Sequence, residues 1–185
     1  MIRVFFTLLA LLLPVIAFGQ VPFPQLAHPI ATFSYEDNDW GVGATTTPRK
    51  ANESPTPTSI PGARVIKTLE LKELLDANKS VVVIDVLSAR TPDSIPGAFK
   101  MPGAGDGQFY AAEKSRFASA LDKLTGADKT RPIVFLCYSV KCWLSYNAAL
   151  YALEAGYKDV IWYRGGIMSW TGASLTFMQA GRRHP

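Results

Sequence analysis

The sequence predicts an α/β fold built on a central, mostly parallel sheet flanked by helices. Three observations carry that expectation. Short apolar or aromatic runs, Val81–Ile84, Ile133–Leu136 and Val160–Tyr163, read as strands buried on both faces. Segments of helical spacing alternate with these runs, which is the pattern of βαβ units. At 185 residues and 48% hydrophobic content the chain can bury one sizeable core.

The elements follow in order. Residues 1–19 read as a signal peptide: Arg3 gives a positive start, Val4–Ile16 an apolar stretch, and Ala17-Phe18-Gly19 the small residues of a cleavage site. The stretch is short for a membrane span and is interrupted by Pro14. Cleavage after Gly19 would leave Gln20 first, place the protein in the periplasm and leave no membrane attachment. Residues 20–60 form a Pro/Thr/Ser-rich arm with no sustained hydrophobic period, expected to be mostly extended, with aromatics such as Phe33, Tyr35 and Trp40 available to pack. Asn52-Glu53-Ser54 is a formal glycosylation triplet, without meaning if the leader is bacterial.

The domain proper is expected over 61–179, with a short tail at 180–185. Arg64–Lys67 is a short strand candidate. Thr68 is the expected N-cap of a helix through Leu71, Leu74 and Leu75, with Glu70 in its first turn. Val81–Ile84 is β-branched throughout and ends at Asp85. The Pro- and Gly-rich stretch 94–107 is a long loop holding at most a short strand at Phe99–Met101. Phe117, Ala120, Leu121 and Leu124 share a helix face, and Gly126 stops it. Leu144–Ala155 is Ala- and Leu-rich and helical. Val160–Tyr163 leads through Gly165-Gly166 into a short helix carrying Trp170.

The chemistry concentrates between Ile133 and Asn147. Both cysteines, Cys137 and Cys142, lie between the end of a buried strand and the start of a helix. There the backbone leaves N–H groups unpaired, and the helix dipole favours an anion, a thiolate included. Cys137 is thus a candidate nucleophile at the C-terminal edge of the sheet, where α/β ligand sites lie. Lys141 can stabilise negative charge, and Cys142 is either a resolving thiol or the partner in a disulfide, structural or redox-active. Tyr138, Ser139, Val140 and Trp143 line the same loop as binding candidates. Asp85, at a neighbouring strand end, is a candidate partner for that loop or a cap for nearby backbone.

Other function classes fit less well. The net charge of +4 is scattered rather than clustered, which argues against a nucleic-acid surface. His28 and His184 lie towards opposite ends of the chain, so no metal site is expected. No cofactor is expected either.

Taken together, Val83-Ile84-Asp85-Val86, Ser94–Ala98, the strand ending in Cys137, Ala148-Ala149 with Ala155-Gly156-Tyr157, and Gly165-Gly166-Ile167 with Trp170 resemble the rhodanese (sulfurtransferase) domain, over about 61–176. The resemblance implies a three-layer α/β fold and a Cys137 that becomes a persulfide held by loop N–H groups. Pro55-Thr56-Pro57, Ile60–Ala63, the cysteine pair before Trp143, and Ser145–Ala149 look more narrowly like an exported rhodanese-like family associated with PQQ-dependent catabolism and named for a CXXCW motif. That likeness implies partners: a small sulfur-containing anion or a protein thiol, and a periplasmic quinoprotein dehydrogenase or cytochrome. It leaves open a sulfur-handling enzyme, a non-catalytic binding partner and a thiol–disulfide oxidoreductase. The chain departs from active rhodaneses in two ways. Cys137–Asn147 holds no Arg, only Lys141, and the loop is longer than theirs. A lone Lys is a point charge rather than a planar fork, which weakens thiosulfate recognition.

Overall fold

The computed structural model describes residues 33, 35–50, 53–78, 80–88, 93–175 and 178–179. The expected leader, His28, Asn52, His184 and the tail at 180–185 lie outside the described residues.

The fold is α/β, with a five-stranded parallel sheet flanked by helices. The strands are β1 (Arg64–Val65), β2 (Val82–Asp85), β4 (Phe99–Lys100), β5 (Ile133–Leu136) and β6 (Val160–Tyr163), in the spatial order β1-β6-β5-β2-β4. A separate antiparallel pair joins β3 (Asp93–Ser94) to β7 (Met178–Gln179). The helices are α1 (Thr68–Ala77), α2 (Ala111–Thr125), α3 (Trp143–Glu154) and α4 (Gly166–Gly172).

Alternation along the central strands sorts side chains between two layers. Val83, Val134, Ile161 and Tyr163 pack with Leu71, Leu74 and Trp170 on the α1/α4 side. Ile84, Phe135 and Trp162 pack with Phe117, Leu121 and the Ala148-Ala149 pair on the α2/α3 side. Every residue of β2, β5 and β6 is buried, as strands covered on both faces must be.

The expected strands and helices are all present, and the differences lie at their ends. Thr68 is the first helical residue and Lys67 the N-cap. Glu70 Oε2 accepts the Lys67 N–H at 2.8 Å. The Thr68 hydroxyl is drawn off by tertiary partners instead, donating to Glu36 Oε2 at 2.7 Å and lying 2.7 Å from Tyr163 Oη. Helix α2 begins six residues before the first apolar position of its stripe, Phe117, where Glu113 Oε2 accepts the Tyr110 N–H at 3.0 Å. It stops at Gly126, whose φ of 69° suits a residue without Cβ.

The described part of the arm belongs to no named strand or helix, yet it is bound to the domain. Glu36, Thr56 and Ile60 are buried. Among the described residues, no helix is long and apolar enough to cross a membrane.

Candidate sulfur site at the end of the central strand

Strands β2, β5 and β6 end in register, with Asp85 opposite Leu136 and Leu136 opposite Tyr163. Cys137 follows directly, at the C-terminal edge of the middle strand. Its side chain continues the α2/α3 face of β5 and joins the apolar cluster that holds Val86, Ala104 and Trp143. Cys142 is the N-cap of α3.

Cys137 and Cys142 form a disulfide, with Cα atoms 6.2 Å apart. That separation lies within the range such a bridge spans. In this state Cys137 is 1% exposed. The nucleophile expected to open at the mouth of the sheet is therefore sealed, while Cys142 is only partly buried. Of the other loop candidates, Val140 and Trp143 are buried, Ser139 is half-buried, and Tyr138 and Lys141 are exposed on the rim.

Four carbonyls of the loop, those of Cys137, Tyr138, Val140 and Lys141, face outward. The carbonyls of Cys137 and Tyr138 accept the N–H groups of Ile167 and Met168 at the start of α4, at 3.0 and 2.9 Å. The carbonyls of Val140 and Lys141 accept the N–H groups of Thr56 and Ser54 in the arm, both at 3.1 Å. In a trans peptide the N–H points opposite to the C=O. The amides of Tyr138, Ser139, Lys141 and Cys142 therefore turn to the inside of the loop. Ser139 takes two of them: its Oγ accepts Lys141 N–H at 3.2 Å and its carbonyl accepts Cys142 N–H at 3.0 Å. Among the described residues, the N–H groups of Tyr138, Ser139 and Val140 meet no protein acceptor. Inward amides at a helix start are the environment that lowers a thiol's pKa and holds an anion.

Gly166 makes the α4 contact possible. Its φ is 63°, and a Cβ there would collide with the Cys137 carbonyl. The Gly165-Gly166 pair thus serves close approach as well as a turn.

Asp85 does not join the loop. It is fully buried, and its Oδ1 accepts Leu87 N–H at 2.9 Å while Oδ2 accepts the Ser94 hydroxyl at 2.7 Å. Lys100 Nζ sits 2.6 Å from Oδ2, close enough to neutralise it although out of line for a hydrogen bond. The carboxylate organises the β2–β4 side of the edge and is a cap rather than a partner for Cys137.

Several residues that frame the site were not singled out by sequence. Arg164, directly after β6, is 2% exposed and, among the described residues, donates to arm atoms: Glu36 O at 2.6 Å, Asn38 O at 2.9 Å, and Thr56 O and Oγ1 at 3.0 and 3.2 Å. Burial without a carboxylate partner in hydrogen-bond contact lowers its pKa. The one available signal was its place between a buried strand and a Gly-Gly turn. Trp143 donates its indole N–H to Ser54 Oγ at 3.0 Å, and the Arg49 guanidinium lies 4.9 Å above its ring. A cavity of about 580 Å³, lined in part by Lys72, Leu75, Phe99, Arg131 and Trp170, shares no residue with the cysteine loop.

Known proteins share the family and the fold. A family model described as the rhodanese-like domain matches residues 58–173. A thiosulfate sulfurtransferase from Pseudomonas aeruginosa is 21% identical with a TM-score of 0.50, over 65% of this chain and 21% of that one. The chain thus spans about a fifth of that enzyme's length. The BH2092 protein of Bacillus halodurans is 19% identical with a TM-score of 0.50, over 65% of this chain and 82% of that one. The polysulfide-sulfur transferase homodimer of Wolinella succinogenes is 18% identical with a TM-score of 0.47, over 67% of this chain and 84% of that one. Comparison with curated proteins gave no match.

Proposed function

This chain belongs to the rhodanese-like domain family, and from that premise we propose that it handles sulfur through Cys137, with Cys142 as the resolving thiol. The observation that carries the proposal is the Cys137–Cys142 disulfide, closed across a loop whose amides point inward. A reduced Cys137 thiolate attacks the outer sulfur of thiosulfate, releasing sulfite and leaving a persulfide. Cys142 then attacks the Cys137 sulfur, sulfide leaves, and the disulfide forms. Two equivalents of an external thiol restore the dithiol and are oxidised to their own disulfide. The inward amides of Tyr138 and Ser139, which meet no acceptor among the described residues, and the Lys141 ammonium stabilise the persulfide anion between these steps.

The test is intact mass measurement of the reduced protein after exposure to thiosulfate or an organic persulfide. One added sulfur is expected on the Cys142→Ser protein and none on Cys137→Ser. Equal uptake by both, or none by either, would discard the proposal.

The proposal includes export and an accessory role beside PQQ-dependent alcohol oxidation in the periplasm. Support for export is the stretch at 1–19, and support for the PQQ link is the sequence likeness alone. Sequencing the protein from a cell envelope fraction should find Gln20 at its start; recovery with an intact Met1 from the cytoplasmic fraction alone would oppose export. A second reading is favoured by the burial of Cys137 and by a loop without Arg. In it the chain is a non-catalytic partner of a quinoprotein dehydrogenase or cytochrome, and the disulfide is structural. A reduction potential well below about −300 mV would favour this reading.

A further inference from the structure

We infer that the arm segment Glu53–Thr56 is a working part of the sulfur site, and that Thr56 is a positioning residue for Cys137. The inference rests on the sulfur-handling reading above and adds to it a requirement outside the cysteine loop.

Fixing a carbonyl fixes the amide on the other side of the same peptide. The first half of the loop is fixed from α4, through Ile167 and Met168. The second half runs into α3 at Cys142, and among the described residues its Val140 and Lys141 carbonyls are held by the arm. Thr56 gives Val140 O two hydrogen bonds, from its N–H at 3.1 Å and from its hydroxyl at 2.6 Å. Ser54 gives Lys141 O one at 3.1 Å, and Glu53 forms an antiparallel bridge with Cys142. Those contacts hold the Lys141 and Cys142 amides on the inner side, where both donate to Ser139, and so keep the Val140 and Lys141 carbonyls turned away from the sulfur.

The Thr56 hydroxyl also accepts from Arg164 Nε at 3.2 Å while Arg164 Nη2 holds the Thr56 carbonyl at 3.0 Å. Arg164 follows Tyr163, the register partner of Leu136, so it stands beside Cys137 at the sheet edge. A chain of contacts therefore runs from the sheet through Arg164 and Thr56 to Val140. Without the Thr56 hydroxyl the Val140–Lys141 peptide loses its shorter restraint and can rotate its carbonyl toward the sulfur. A carbonyl facing a thiolate raises the thiol's pKa and opposes a persulfide anion.

The experiment uses the full chain carrying Cys142→Ser, so that Cys137 is the only thiol. Its thiolate is titrated by ultraviolet absorbance, and sulfur uptake from thiosulfate is timed, for Thr56, Thr56→Val and Thr56→Ser. Loss of one hydrogen bond, worth about 1 kcal/mol, should make the thiol about fivefold less acidic in Thr56→Val. Sulfur uptake should slow with it, and Thr56→Ser should restore both. Thr56→Ala serves the same comparison if the valine protein melts too low to assay. A titration midpoint that does not move, with or without a fall in melting temperature, overturns the positioning role. A parent that takes up no sulfur yet shows a Thr56-dependent midpoint removes the sulfur-handling reading alone. A parent that takes up sulfur and ignores Thr56→Val removes this inference alone.

Discussion

Asn147 and Arg49, 98 residues apart, exchange a pair of hydrogen bonds: Arg49 N–H donates to Asn147 Oδ1 at 3.0 Å, and Asn147 Nδ2 donates to the Arg49 carbonyl at 2.6 Å. The same Nδ2 reaches Gly105 O at 2.9 Å. A fully buried amide in the middle of α3 thus stands in for a strand partner, fastening both the arm and the 102–107 loop to the helix behind the cysteines. Asn147→Leu keeps the volume and strands three backbone groups. We expect a loss of about 3 kcal/mol, since each orphaned group costs 1 kcal/mol or more. Urea unfolding should show a lower midpoint at an unchanged slope. An unchanged midpoint would mean that water replaces the amide at no cost.

Gly105 packs directly on α3. A Cβ there would overlap the Leu144 carbonyl, which is helix backbone and cannot step aside. Gly105→Ala should therefore cost about 3 kcal/mol, the upper range of overpacking. A melting temperature about 10 °C lower would accompany it in a domain of this size. Gly97→Ala is a poor control for this, because Gly97 has open space but a φ of 80°. Gly43→Ala has open space without that strain and should melt near the parent.

Glu36 ties the arm to α1, accepting from Thr68 N–H at 3.2 Å and from the Thr68 hydroxyl at 2.7 Å. Its Oε1 is buried without a partner among the described residues. Burial raises its pKa above the ordinary carboxylate range, outweighing the hydrogen bonds to Thr68. Below the unfolded value of about 4.5 both states are protonated and the group is neutral to stability. As pH climbs from there to the raised folded value, the unfolded chain ionises first, so stability falls. Glu36→Gln keeps an acceptor for Thr68 and removes the titration. Its stability relative to the parent should rise as pH climbs above about 4.5, as measured by denaturant unfolding at a series of pH values. A constant difference would show that Glu36 titrates alike in both states.

The disulfide closes a small ring with a sequence separation of 5. Loop-closure entropy for a ring that short is worth about 2 kcal/mol. Unfolding in reductant, compared with unfolding without it, should show that loss in the parent. The Cys137→Ser/Cys142→Ser protein should be indifferent to reductant. A parent equally indifferent would argue that the bridge adds strain equal to its entropic gain.

Much of the layer architecture was readable from periodicity. Apolar or aromatic runs at 133–136 and 160–163 coincide with β5 and β6, because strands covered on both faces are dominated by apolar residues. Helix ends were less legible. Thr68 has the chemistry of an N-cap, but Glu36 and Tyr163 compete for its hydroxyl, and no local pattern announces them. Asp85 was visible as a strand-end carboxylate, yet its partners Ser94 and Lys100 are set by how the next loop returns to β4.

By itself, the sequence determined the α/β class and the place of both cysteines between a buried strand and a helix. Those properties follow from side-chain period and from the nearest few residues. Only the tertiary structure decided that Cys137 and Cys142 are bridged and sealed, and that the arm holds the far half of their loop through Thr56 and Arg164. The atoms concerned lie 108 residues apart between Thr56 and Arg164. Such pairings are chosen by which backbone donors and acceptors burial leaves unsatisfied, and that accounting exists only once the chain has closed on itself.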